Sequence, residues 1–190
     1  MTRLVAVVGS VTPPGRLRQA VEFTLGQARQ SMPQLETSLI DLADYKVSFA
    51  DGRPLEAYAD DTAVIVARLE ASDAVLLATP VYRATFTGAL KNLLDLTPLE
   101  ALQAKPVGIV AMGATLHHYL GADWQLRAVL SWFGALTLPT SVYLQSSHFS
   151  EGKLADETMI MELGQLTASL ANLSHIDGNL GPPPLAGRQA

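Results

Sequence analysis

Polar and apolar positions along this chain fall into two alternating patterns. Continuous apolar runs at 4–8, 74–78 and 106–112 are bounded by turn residues, which predicts strands covered on both faces. A mixed run at 35–41 and a short one at 140–144 predict two more. Between them, apolar residues recur at helical spacing over about 17–32, 58–70, 90–95, 116–133 and 155–173. Pro33 ends the first helix, Thr87 is the expected N-cap of the third, and Gly134 suits the C-cap of the fourth. The stretch 42–55, with Asp51-Gly52 and Pro54, is a polar connection.

Five strands alternating with five helices predict an α/β fold, a parallel sheet with helices on both faces and right-handed crossovers. With strand order 2-1-3-4-5 the switch point falls between strands one and three, so a ligand is expected over the loops 9–16 and 79–86. The loop 113–115 borders the same rim. One domain over 1–175 and a Pro-rich tail over 176–190, extended or disordered, complete the expected organisation.

Composition narrows the chemistry. The 190 residues are 48% hydrophobic and 16% charged, enough for one sizeable core. A net charge of -5, with no cluster of Lys and Arg, argues against a nucleic-acid surface. The absence of cysteine excludes a disulfide framework, a thiolate nucleophile and Cys-ligated zinc, and fits a reducing compartment, with the cytoplasm as the expected location. The apolar run near Met1 is too short for a secretory signal, and no window resembles a membrane span.

The loop Gly9-Ser10-Val11-Thr12-Pro13-Pro14-Gly15-Arg16 offers backbone N–H groups, two hydroxyls, a helix N-terminus and a guanidinium. That set suits a phosphate. It lacks the dinucleotide fingerprint and the Gly-Lys-Ser/Thr of triphosphatases, so a monophosphate fits better than a pyrophosphate, and a merely rigid turn is the plain alternative. Pro80, Val81 and Tyr82 present backbone donors and a ring without a carboxylate or metal ligand, suiting a planar heterocycle, while Gly113 and Ala114 leave room opposite. Gly88 is expected at a close backbone approach. There is no Gly-x-Ser-x-Gly elbow or His-Glu-x-x-His helix, and His117 and His118 point to different helix faces, which disfavours a joint metal site.

The stretch Thr79-Pro80-Val81-Tyr82-Arg83-Ala84-Thr85-Phe86-Thr87-Gly88-Ala89-Leu90-Lys91-Asn92, followed by Gly113-Ala114-Thr115 and by His118, Asp123 and Arg127, resembles the flavodoxin-like NAD(P)H-dependent FMN reductases. It is closest to the branch that supplies reduced flavin to alkanesulfonate monooxygenases, and the similarity covers about residues 1–145. The resemblance implies FMN with its phosphate at Ser10 to Arg16, its isoalloxazine against Pro80 to Tyr82, and its far edge near Gly113 to Thr115. It also implies hydride transfer from NADPH or NADH and a flavin-dependent monooxygenase partner. Arg83 or Arg16 is the candidate contact for an NADPH 2′-phosphate, and N–H groups of Val81 or Tyr82 are candidate donors to the flavin ring. The first loop is shorter and poorer in hydroxyls than the family's pattern, and Trp124 stands where the branch carries an inserted Tyr at a π-bulge. Apolar residues at 90–96 and 124–133 predict a homodimer or homotetramer. Rival readings are an FMN-retaining quinone, azo-dye or metal-ion reductase, and a flavodoxin-like electron carrier or flavin-binding module.

Overall fold

Strand residues with alternate side chains buried on opposite faces divide this protein into two cores separated by one sheet. In the computed structural model, which describes residues 1–176, the strands are β1 Thr2–Val8, β2 Leu35–Asp41, β3 Ala74–Pro80 and β4 Pro106–Met112. Leu4, Ala6 and Val8 of β1 and Ala74, Leu76 and Ala78 of β3 face one core; Val5, Val7, Val75 and Leu77 face the other. Helices α1 Arg16–Ser31 and α5 Glu157–Leu173 cover the first face. The second is covered by α2 Thr62–Glu70, α3 Gly88–Leu96 and α4 Tyr119–Phe133. The strand order is β2-β1-β3-β4-β5, with β5 Leu136–Thr137 at the edge, all parallel, as expected. The expected Pro-rich tail lies, from residue 177, outside the described residues.

The fifth strand differs from expectation. Instead of one run at 140–144, two short pieces, β5 Leu136–Thr137 and β6 Val142–Leu144, both pair with β4. Pro139 lacks a ladder donor, and the intervening backbone is held from outside: Arg127 donates from Nη1 to the Leu138 carbonyl (2.6 Å) and from Nη2 to that of Pro139 (3.2 Å). Asp123, buried on the same helix, fixes that guanidinium through two bonds of 2.8 and 3.0 Å. A small antiparallel hairpin, β7 Phe149–Ser150 with β8 Lys153–Leu154, occupies part of the expected loop. Glu151 and Gly152 both take positive φ at its tip.

Two helix starts also move. The second helix begins at Thr62 rather than Tyr58, because Asp60 accepts from the N–H of Thr62 (2.9 Å) and of Ser48 (2.7 Å), closing the chain into a turn. Those bonds hold the Asp60 carboxyl well below its ordinary range. The fourth begins with a 3-10 turn, Leu116–His118, before α4 proper. Thr87 caps α3 as expected, accepting from Leu90 N–H at 3.1 Å. Among the described residues no helix is long and apolar enough to cross a membrane.

Candidate functional site

The carboxyl ends of β1, β3 and β4 bring the three predicted loops to one rim. Thr87 ties two of them together: its hydroxyl donates to the Gly9 carbonyl, while Gly9 N–H donates to the Ala78 carbonyl at 2.7 Å. Thr79 Oγ1 accepts from Thr87 N–H at 3.2 Å and donates to the Pro80 carbonyl at 2.9 Å. The junction between strand and helix is thus braced from inside.

Beside it lies a cavity of about 210 Å³ walled by the 10–18 segment, Asp41, Pro80 and Met112. The α1 N-terminus opens into it. Gly15 is the N-cap and has no side chain to satisfy the first N–H groups, and the first turn carries no acidic residue. Such an end favours an anion. Ser10 is buried, its hydroxyl 2.7 Å from that of Thr12, and Arg16 is exposed with Nη1 donating to Ser146 Oγ at 3.0 Å. Ser10, Thr12, Gly15 and Arg16 thus line one cavity, whereas Gly9 lies behind it, bonded to Ala78 and Thr87.

The loop after β3 is more constrained than its residues suggest. Tyr82 and Thr85 exchange backbone bonds of 2.9 and 3.2 Å, and the two residues between them, Arg83 (φ 51°) and Ala84 (φ 64°), both sit in the left-handed region. This is a two-residue turn made without glycine or asparagine. It corrects one expectation: Val81 N–H is spent on the Met112 carbonyl (2.8 Å) and Tyr82 N–H on Thr85, so neither is free for a ligand. Among the described residues, the N–H groups of Arg83 and Ala84 carry no backbone partner. Tyr82 is 49% exposed, a residue at the rim rather than in the core.

The third loop supplies a wall. Tyr143 donates to the Thr115 carbonyl at 2.6 Å, and Gln145 Nε2 lies 3.5 Å from the Ala114 carbonyl. Burial pushes the Tyr143 hydroxyl pKa up, keeping it a neutral donor. Gly113 is required here because a Cβ would overlap the Tyr143 hydroxyl. Gly121, which the sequence did not single out, matters equally: a Cβ there would overlap the Ala84 carbonyl, so the start of α4 packs directly on the 82–85 turn. Gly88, expected at a close approach, meets nothing within 4 Å. A fourth rim segment escaped the sequence reading as well: the turn at Ser146–His148 meets Arg16 of the 9–16 segment through Ser146 and the Gly113 loop through Gln145.

Electrostatics around the cavity are mixed. Arg18 donates from Nη1 to Asp41 (3.2 Å) and Asp44 (2.8 Å) and from Nε to Glu22 (2.8 Å). The bond to Glu22 raises its pKa above the ordinary guanidinium value.

Residues 2–149 match the family model described as NADPH-dependent FMN reductase. The chain is 37% identical over 154 residues to an NAD(P)H-dependent FAD/FMN reductase of Geobacillus thermodenitrificans, covering 80% of this chain and 83% of that one. It is 31% identical over 157 residues to the NADH-dependent FMN reductase SfnF of Pseudomonas fluorescens, covering 83% of each. Among solved structures, an oxidoreductase from Corynebacterium diphtheriae superposes with a TM-score of 0.72 at 25% identity, over 90% of this chain and 96% of that one. With a family match over residues 2–149 and a relative 37% identical over most of both chains, this chain belongs to the NADPH-dependent FMN reductases, an oxidoreductase family that works with FMN and a reduced nicotinamide.

Proposed function

We propose that this protein reduces FMN with NAD(P)H and releases the reduced flavin to a flavin-dependent monooxygenase. The observation that carries the reading is the α1 N-terminus, uncapped and open to a cavity that also touches Pro80 and Met112. One cavity therefore joins an anion cradle to the rim that suits a flat ring.

Bound there, FMN and the nicotinamide supply the redox chemistry, a hydride passing from nicotinamide C4 to flavin N5. The chain's residues bind and orient. Ser10, Thr12, Gly15 and Arg16 hold the 5′-phosphate with the first N–H groups of α1. Pro80 to Arg83 support the ring, with the Arg83 and Ala84 N–H groups the open backbone donors of that loop. Gly113, Ala114 and Thr115 border its far edge, held back by Tyr143. No side chain need act as acid or base. Tyr82, exposed at the rim, is placed to cover a stacked pair of rings and exclude water, the proximity contribution such a site makes. Arg83 lies on the rim as the side chain to meet an NADPH 2′-phosphate, and relatives carry NAD(P)H and NADH in their names, so nucleotide preference varies among them.

The monooxygenase partner rests on the resemblance of the 79–92 stretch to the branch that supplies reduced flavin to such enzymes. Assembly of at least two copies is supported by α4, where Leu120, Trp124 and Trp132 are exposed at spacings of four and eight, with Leu116 of the preceding 3-10 turn exposed beside them. The working location is the cytoplasm, where the NAD(P)H supply lies.

Steady-state kinetics tests the reading. Sequential kinetics with free FMN as substrate, from a colourless purified protein, is the expected result. Ping-pong kinetics with a retained yellow flavin would replace it with the quinone, azo-dye or metal-ion reductase reading, and FMN binding without NAD(P)H oxidation would leave only an electron carrier.

A further inference from the structure

The cavity at the α1 N-terminus is lined by two guanidiniums, and they are held in different ways. Arg18 is committed to carboxylates, with Nε on Glu22 and Nη1 on Asp41 and Asp44. Arg16 has no carboxylate partner among the described residues; its side chain makes one hydrogen bond, from Nη1 to Ser146 Oγ at 3.0 Å, and the rest of its fork is unspent. An exposed arginine otherwise keeps most of its rotamer freedom, which an anion must remove on binding. Ser146, by contrast, is a fixed point. It opens the 3-10 turn Ser146–His148, in which Gln145 N–H donates to His148 Nδ1 at 3.2 Å. The His148 carbonyl accepts from the N–H groups of Ala155 (2.9 Å) and Asp156 (3.2 Å), and Leu154 N–H donates to Gln19 Oε1 of α1 at 2.8 Å. The turn that carries Ser146 is therefore tied to the same helix that carries Arg16. Ser146 itself is exposed and does not line the cavity, so its influence on a ligand there runs through Arg16.

We propose that Ser146 is a positioning residue for Arg16, holding the guanidinium at the mouth of the cradle before the flavin arrives. The ordering of that side chain then takes place in the free protein, and the 5′-phosphate meets a preset cation. A hydroxyl suits the task because it accepts from Arg16 without neutralising it, leaving the charge for the phosphate; a carboxylate in its place would spend that charge, as happens at Arg18. This rests on the flavin-site reading above.

The test is a double-mutant cycle: fluorescence titration of FMN and of riboflavin against the wild type, Ser146→Ala, Arg16→Ala and the double variant. Ser146→Ala should weaken FMN by about fivefold, the size of one modest hydrogen bond, and leave riboflavin unchanged. Ser146→Thr, which keeps the hydroxyl, should restore FMN. Arg16→Ala should weaken FMN further than Ser146→Ala does, and in its background the change at Ser146 should have no added effect. Four results overturn the proposal: FMN unaffected by Ser146→Ala, riboflavin weakened as much as FMN, a loss of the same size with and without Arg16, or Arg16→Ala leaving FMN affinity intact. If the wild type binds neither flavin, the flavin-site reading falls and the proposal falls with it.

Discussion

At the scale of single residues, the site is marked by side chains in unfavourable settings. Ala84 sits at φ 64°, where a Cβ costs roughly 1–2 kcal/mol, and its carbonyl lies against Gly121. Replacing Ala84 with glycine relieves the first strain and adds chain entropy to the unfolded state, for a net gain of about 0.5 kcal/mol; thermal unfolding should show a small rise. Gly121→Ala, by contrast, forces α4 off the turn and should lower both the melting temperature and FMN affinity, read by unfolding and titration. Lys105 is the residue to watch with pH. Its ammonium donates to the carbonyls of Leu69 (2.6 Å) and Glu70 (3.2 Å) and to Ser72 Oγ (3.2 Å), and burial pushes its pKa down to about 8. Because the folded chain then holds this proton less tightly than the unfolded one, the cost is full below pH 8 and is relieved as pH rises toward 10.5. Urea unfolding should therefore show stability contributed by this group rising between pH 8 and 9.5, and Lys105→Met should remove that slope.

Individual elements explain why some of the structure was legible beforehand. Strands β1, β3 and β4 were readable because both faces are buried, leaving uninterrupted apolar runs, and α3 because Thr87 and the 90-93-94 spacing are local signals. The loop from Gly9 to Arg16 stood out for the same reason: its glycines, hydroxyls and arginine are contiguous, and Ser10, Thr12, Gly15 and Arg16 line one cavity. The broken edge strand was not, since Pro139 marks a break but the Arg127 clamp that holds it comes from another helix. Arg127→Ala should cost about 2 kcal/mol, by leaving Asp123 and two carbonyls without their donor, and denaturant melts would detect it. The spent N–H groups of Val81 and Tyr82 were equally hidden, because their acceptors are fixed by β4 and by a turn whose residues carry no turn signature. Gly121 looked like an ordinary helical residue, and only its contact with Ala84 gives it meaning.

Across the whole molecule, the apolar surface divides differently from the expectation. Leu90, Leu93 and Leu94 of α3 are buried inside the subunit, so they contribute nothing to an assembly surface. What remains is α4, regular throughout with no π-bulge at Trp124, where Trp124 is 72% exposed and Trp132 57%. If two copies meet there, Trp124→Glu with Trp132→Glu should shift the protein to monomer in sedimentation velocity with its unfolding midpoint barely changed.

In the proposed function the α1 N-terminus receives the 5′-phosphate of a flavin whose ring lies on the Pro80 loop. Gly15→Asp tests it, because an aspartate at this extended N-cap, with its nearest neighbour 3.9 Å away, would cap the helix and stabilise the fold while placing a carboxylate in the cradle. Fluorescence titration should find FMN bound at least about tenfold more weakly than by the wild type, with riboflavin unaffected and the melting temperature raised. FMN binding equally well to Gly15→Asp and to the wild type would contradict the account.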